Sequence, residues 1–318
     1  MYSLNQRFDN RQIPEDELMT SGHVACAGCG ASLTMRLALK GLGKPTVLVV
    51  PACCWTIIAG AWPQTAMKVP FYNVAFETTG ASISGLKAAY RRRGMDDVCV
   101  VGWAGDGGTY DIGIQALSGA AERNEDVIYV CYDNEAYMNT GIQRSGGTPF
   151  GAWTSTTPVK KPKSEPKKDL DEIMIAHRIP YLATATAAFP HDMIAKFKKA
   201  RSIKGMRYLH VLAACPAGWR TPENMSVQLM RLAVLSNIFP LYEVENSEVF
   251  RQTVIPDKVE PVDEYLRSQG RFKHLTEKDI KIYQSQIMEK FERLKVRFDK
   301  TPAVSDRNER SARDDVSF

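Results

Sequence analysis

No apolar run in this chain reaches the roughly 20 residues that a helix needs to cross a bilayer. The longest, Pro45 to Ile58, is interrupted by turn residues and cysteines. The amino terminus, Met1-Tyr2-Ser3-Leu4-Asn5-Gln6-Arg7, lacks the apolar segment of an export signal, so the chain reads as cytoplasmic with no membrane partner. No internal repeat is visible, and neither sign of charge dominates: the net charge is +5 over 318 residues. The densest basic patch, Lys160 to Lys168, has no aromatics for stacking bases. In the other, Lys281 to Lys300, Phe291, Leu294 and Phe298 recur at helical spacing, which predicts an amphipathic helix and argues against nucleic acid. Seven cysteines without an export signal do not make a disulfide framework, and they point to a reducing compartment and metal-thiolate chemistry.

What is present is ample for a buried core: 44% of the residues are apolar, enough for one large domain or two small ones. Residues 1–22 are polar and read as an arm. Helical spacing from Ser32 to Leu42 leads to the strand Thr46 to Val50. The alternation continues with helices over Ala81 to Arg93, Ile112 to Glu122, Leu170 to His177 and Ile194 to Lys204. Strands are expected at Val98 to Gly102, Val127 to Tyr132, Tyr181 to Thr184 and Arg207 to Ala213. Apolar strands separated by helices predict an α/β fold with a parallel sheet covered on both faces. The domain is expected to span residues 23–219, with the proline- and lysine-rich stretch 158–168 as a solvated inserted loop. Residues 220–318 read as a helical, charged extension with few core positions, and Ser305 to Phe318 as a polar tail.

Two motifs carry chemistry. Gly105-Asp106-Gly107 closes an apolar strand, where ligands of open parallel sheets sit. Glycines let backbone approach a diphosphate, and an aspartate is a hard ligand for magnesium. Alone, such a triplet is usually just a turn. Asn134, 28 residues after Asp106 at the next strand end, changes that reading, since both side chains can face one cation. The second motif is Cys26-Ala27-Gly28-Cys29-Gly30, a thiolate pair suited to an iron-sulfur cluster or to zinc. No second such pair exists. Cys99 and Cys131 lie within apolar strands and read as core, whereas Cys54 and Cys215 follow strands and lie where strand ends gather.

The stretch Gly105-Asp106-Gly107-Gly108-Thr109-Tyr110-Asp111-Ile112-Gly113, followed by Asp133-Asn134-Glu135-Ala136-Tyr137-Met138-Asn139-Thr140-Gly141, closely resembles the thiamine-binding β subunit of pyruvate:ferredoxin and other 2-oxoacid:ferredoxin oxidoreductases. The resemblance runs from about His23 to Trp219. It implies a thiamine diphosphate-binding fold and oxidative decarboxylation of a short 2-oxoacid, pyruvate by default, with oxalate or another 2-oxoacid as alternatives. A non-oxidative thiamine lyase with structural zinc is a further alternative. The resemblance also implies a [4Fe-4S] cluster on Cys26, Cys29, Cys54 and Cys215, and magnesium on Asp106, Asn134 and the Ala136 carbonyl. Gly105, Gly107, Gly108, Met138 and Thr140 would line the cofactor, and Asn139 would face the reacting carbons. Implied partners are α, γ and δ-type subunits, one supplying the glutamate that faces the aminopyrimidine and one carrying further clusters, together with ferredoxin and, for pyruvate, coenzyme A. Glu77 is the nearest local glutamate, with a structural or interface role the expected one. The family usually has glycine where this chain has Cys53, a carboxylate near Thr56, and, in the fused enzymes, glutamate where this chain has Ala31.

Overall fold

The computed structural model describes residues 13–300. The order begins α1 (Gly30–Leu42), β1 (Thr46–Pro51), α2 (Cys54–Ile58), β2 (Phe71–Val74), α3 (Thr79–Arg92) and β3 (Cys99–Gly105). A π-helical turn (Gly107–Ile112) leads into α4 (Ile114–Glu122), β4 (Ile128–Asp133), α5 (Leu170–Ala176), β5 (Tyr181–Thr186), α6 (Pro190–Ser202) and β6 (Arg207–Leu212). After these come α7 (Pro216–Trp219), α8 (Ser226–Leu235), β7 (Leu241–Glu245), β8 (Val249–Val254), α9 (Val262–Arg267) and α10 (Glu277–Lys300).

Eight strands form one sheet in the order β2-β1-β3-β4-β6-β5-β7-β8. The first six of that order run parallel, and β7 and β8 are antiparallel. Every residue of β1, β4, β5 and β6 is buried, because helices cover both faces. Alternate residues of β4 feed two cores. Ile128, Val130 and Tyr132 pack with Met35 of α1 and Phe197 of α6 on one face. Tyr129 and Cys131 pack with Ile83 of α3, Leu117 of α4 and Leu294 of α10 on the other. The helices and strands expected from periodicity are all found, with ends shifted by a few residues.

Three expectations are corrected. The segment before Gly22 is not only an arm: Leu18 and Met19 are buried, and the Thr20 amide donates to the Ala66 carbonyl at 2.8 Å. The extension beyond Trp219 is not poor in core positions, since β7 and β8 complete the sheet and Leu229, Met230, Tyr265 and Phe272 are buried. The 158–168 loop is not simply solvated, because Lys163 and Lys167 turn inward. The amphipathic reading of Lys281 to Lys300 holds in α10, whose Leu294 and Phe298 face the core. The polar tail Ser305 to Phe318 lies outside the described residues.

Candidate functional site

Four neighbouring parallel strands, β1, β3, β4 and β6, end along one edge of the sheet. Cys54 follows β1, Asp106 follows β3, Asn134 follows β4 and Cys215 follows β6. Parallel pairing alone therefore gathers residues that are far apart in sequence.

Asp106 is 1% exposed and Asn134 is 5% exposed. The tip of the Asn134 side-chain amide lies 3.0 Å from both Asp106 Oδ1 and the Ala136 carbonyl oxygen. With its nitrogen on that side the amide donates to both, and with its oxygen there three hard oxygens converge, the donor set magnesium takes. The residues present thus fit the metal that the motif implies. Ser145 Oγ donates to the other oxygen of Asp106. Burial, with Asp133 beside it, pushes the Asp106 carboxyl well above the usual carboxylate range. A dication against it would restore the ionised form.

Behind this set lies a buried charge network. Lys167 Nζ is 2.5 Å from Asp133 and 3.0 Å from Glu135, and Arg271 reaches Glu135 at 2.5 Å. His210 bridges Asp133 at 2.8 Å and Asp171 at 2.9 Å. Burial opposes protonation of His210, but Asp171 and Asp133 outweigh it and lift the imidazole to about 9. Burial likewise works against ionised Asp133, and Lys167 and His210 overcome it, holding that carboxyl below its ordinary range. Sequence reasoning missed Lys167, His210 and Arg271. The only signal was that three cations would have to be buried, which is visible only once their carboxylate partners are placed.

A cavity of about 550 Å³ opens at these strand ends. All of the expected cofactor residues line it: Gly105, Asp106, Gly107 and Gly108 on one side of the motif pair, Asn134, Ala136, Met138, Asn139 and Thr140 on the other. Cys53, Cys54, Thr56 and Ile57 from the start of α2 share the wall, as do Phe76 and Tyr132. Trp55 is fully buried and turns to the core, and Ala31 is buried in α1. Glu77 is exposed and does not line the cavity.

The cysteine region is assembled against the end of β6. The Gly30 amide donates to the Ala214 carbonyl at 2.9 Å, and Ser226 Oγ donates to the Gly28 carbonyl at 2.6 Å. Gly28 has φ +68°, and a Cβ there would stand 2.1 Å from the Glu223 carbonyl oxygen, so the Cys26–Cys29 turn admits no side chain at that position. Burial, followed by the neighbouring thiols of Cys53, Cys215, Cys29 and Cys26, pushes the Cys54 thiol far up. Cys215 is pushed up to about 11 by burial and by Cys29 and Cys26, against the Gly218 amide, which donates to its sulfur at 3.4 Å. The four thiols are thus close enough to feel one another. Among the described residues, no three His, Cys, Asp or Glu side chains gather around the position of a single ion. Cys99 and Cys131 are buried inside β3 and β4, as expected.

Residues 55–211 match the family described as thiamine pyrophosphate enzyme, C-terminal TPP binding domain. The chain is 52% identical to ketoisovalerate oxidoreductase subunit VorB of Pyrococcus furiosus over 89% of this chain and 94% of that protein. It is 50% identical to pyruvate synthase subunit PorB of Methanothermobacter marburgensis over 84% and 93% of the two chains. A solved 2-oxoglutarate:ferredoxin oxidoreductase from Magnetococcus marinus shares the fold, with TM-score 0.55 and 22% identity over 70% of this chain and 81% of that one. With its thiamine-binding fold and relatives that match nearly end to end, the chain belongs to the β subunits of the 2-oxoacid:ferredoxin oxidoreductases, enzymes built from several subunits.

Proposed function

We propose that this subunit binds magnesium and thiamine diphosphate in the strand-end cavity and carries a [4Fe-4S] cluster on Cys26, Cys29, Cys54 and Cys215. Its enzyme then oxidatively decarboxylates a short 2-oxoacid, with pyruvate as the default, and passes the electrons to ferredoxin. The observation that carries this reading is that one cavity is walled both by the Asp106, Asn134 and Ala136 oxygens and by Cys54.

Thiamine diphosphate supplies the electron sink that lets carbon dioxide leave a 2-oxoacid. The chain's own residues bind and orient. Asp106, Asn134 and the Ala136 carbonyl hold the cation, and Asn139 presents a polar group to the substrate from the cavity wall. Cys54 keeps the electron acceptor next to the same cavity. A cluster suits the cysteines better than zinc, because the sequence offers one CxxC pair and no second such pair to close a zinc site.

The cavity wall includes Ile57, Phe76 and Tyr132, which supports an acid with a small hydrocarbon side chain over a dicarboxylate. Pyruvate and its branched relative 2-oxoisovalerate both meet that description, as the names of the similar proteins suggest. Oxalate has no side chain to use this wall. The glutamate that faces the aminopyrimidine comes from a partner subunit, since Glu77 is exposed and off the cavity. Another partner carries further clusters toward ferredoxin, and coenzyme A takes the acyl group. No described helix is long and apolar enough to cross a membrane. The test is viologen reduction by the reconstituted complex with pyruvate, 2-oxoisovalerate, 2-oxoglutarate and oxalate in turn. Preference for either of the first two supports the reading, and preference for 2-oxoglutarate or oxalate overturns the substrate assignment.

A further inference from the structure

Glu135 stands between the two residues whose oxygens complete the cation set, and it is a non-glycine residue at φ +72°. A conformation of that kind is strained and persists only where the surroundings hold it. Here Thr148 Oγ1 donates to the Glu135 carbonyl at 2.8 Å, and the Glu135 amide donates to Asp133 Oδ1 at 3.0 Å. The carboxylate accepts from Lys167 and from Arg271, a residue 136 positions further along the chain.

Arg271 is 2% exposed and is itself fixed. Its Nε donates to Gln269 Oε1 at 2.9 Å, and its carbonyl accepts the Trp153 amide at 2.9 Å. Its guanidinium lies over the Trp219 ring, 4.3 Å from the centroid, and the indole Nε1 of Trp219 donates to the Asn134 carbonyl at 2.9 Å. One buried cation therefore holds two consecutive residues of the loop, Glu135 by an ion pair and Asn134 through Trp219.

We infer that Arg271 is a positioning residue for the magnesium site, fixing the left-handed turn at Glu135 so that the Asn134 side chain and the Ala136 carbonyl aim at the same point as Asp106. The inference rests on reading Asp106, Asn134 and Ala136 as the cation set. An ion pair serving only stability would not have to land on the one residue that joins two ligands. Residues that orient metal ligands typically change metal affinity about 10–100-fold when removed.

The experiment strips the assembled enzyme of magnesium and thiamine diphosphate and titrates magnesium back at fixed thiamine diphosphate, reading retained cofactor after rapid gel filtration. Arg271→Met should raise the half-saturating magnesium about 10-fold or more. Arg271→Lys, which keeps the charge, should recover part of that loss. Glu135→Gln should raise it too, and the double variant should fall short of the product of the two single effects, because both lose the contact between Arg271 and Glu135. Asp126→Asn, remote from the loop, serves as a control that lowers the thermal midpoint without moving the half-saturation. An unchanged half-saturation in Arg271→Met, an equal rise in Asp126→Asn, or full additivity in the double variant would overturn the inference. Should Arg271→Met fail to assemble, an unchanged half-saturation in Glu135→Gln overturns it as well. Retention of thiamine diphosphate by Asp106→Ala with wild-type magnesium dependence would show instead that the cation set is misassigned, and the inference would fall with it.

Discussion

The indole nitrogen of Trp219 donates to the main-chain oxygen of Asn134 at 2.9 Å, which ties the turn that begins at Cys215 to the loop that would hold magnesium. The same turn touches the cavity again at Gly218, where a Cβ would stand 2.1 Å from Met138 Sδ. The strand-end cavity and the cysteine group are therefore mechanically linked. Gly218→Ala must displace either Met138 or the Cys215 turn, and we expect it to lower both cluster content and retained thiamine diphosphate. Iron and thiamine assays on one preparation check this, and a variant that loses neither would separate the two sites.

Replacing Cys26, Cys29, Cys54 or Cys215 with alanine should remove most of the broad visible absorption of anaerobically purified enzyme, while Cys99→Ala and Cys131→Ala leave it in place. The raised thiols of Cys54 and Cys215 add a sign. Thiols held protonated must lose protons to bind iron, so reconstitution should release protons and proceed faster as the pH rises from 7 to 9. An intact spectrum in Cys215→Ala contradicts the ligand set.

Asp106→Ala should release thiamine diphosphate while keeping the cluster absorption, because it removes the charged ligand of the cation and touches no cysteine. The measurement is thiamine content against the visible spectrum of the same sample.

At the opposite edge of the sheet, Asp126 takes Arg207 at 2.5 Å, with Lys87 at 3.4 Å and Lys204 at 3.4 Å. Burial works against its ionisation, but Arg207 outweighs it, and the carboxyl is held below its usual range. Asp126→Asn leaves two buried cations uncompensated and should cost about 3 kcal/mol. Because the folded pKa is the lower one, the stabilisation is complete above about pH 4 and is lost as the pH falls through the folded value. The gap in thermal midpoint between wild type and Asp126→Asn should therefore narrow only on acidification below that point. A gap that is absent at pH 7, or the same at pH 3, contradicts this.

Five of the six parallel strands were legible because each is a largely apolar run between helical stretches, whereas Phe71-Tyr72-Asn73-Val74 of β2 is too short and exposed to stand out, and Asp106 and Asn134 were legible because strand ends in such sheets meet. β7 and β8 were not. Leu241-Tyr242-Glu243-Val244-Glu245 carries two glutamates, and nothing local reveals that Lys199 reaches both, at 2.6 Å and 2.9 Å. Arg271 escaped for the same reason, since a buried arginine is recognised by its partner, and Glu135 is remote in sequence. Leu18 and Met19 lie in a polar segment that the bridge from Met19 to Met67 and the ion pair of Glu17 with Lys40 draw inward. The Cys53 position, where the family usually has glycine, proves to be cavity wall, so the departure noticed in the sequence falls on the strand-end cavity.

The most direct measurement mixes the assembled enzyme rapidly with a 2-oxoacid under anaerobic conditions and follows the visible absorption of the cluster. Bleaching by pyruvate or 2-oxoisovalerate within the turnover time, abolished by Asp106→Ala and absent from the isolated chain, is the predicted result. Turnover by an enzyme that is colourless, or whose absorption does not change on mixing, would contradict a thiamine site and an iron-sulfur cluster sharing these strand ends.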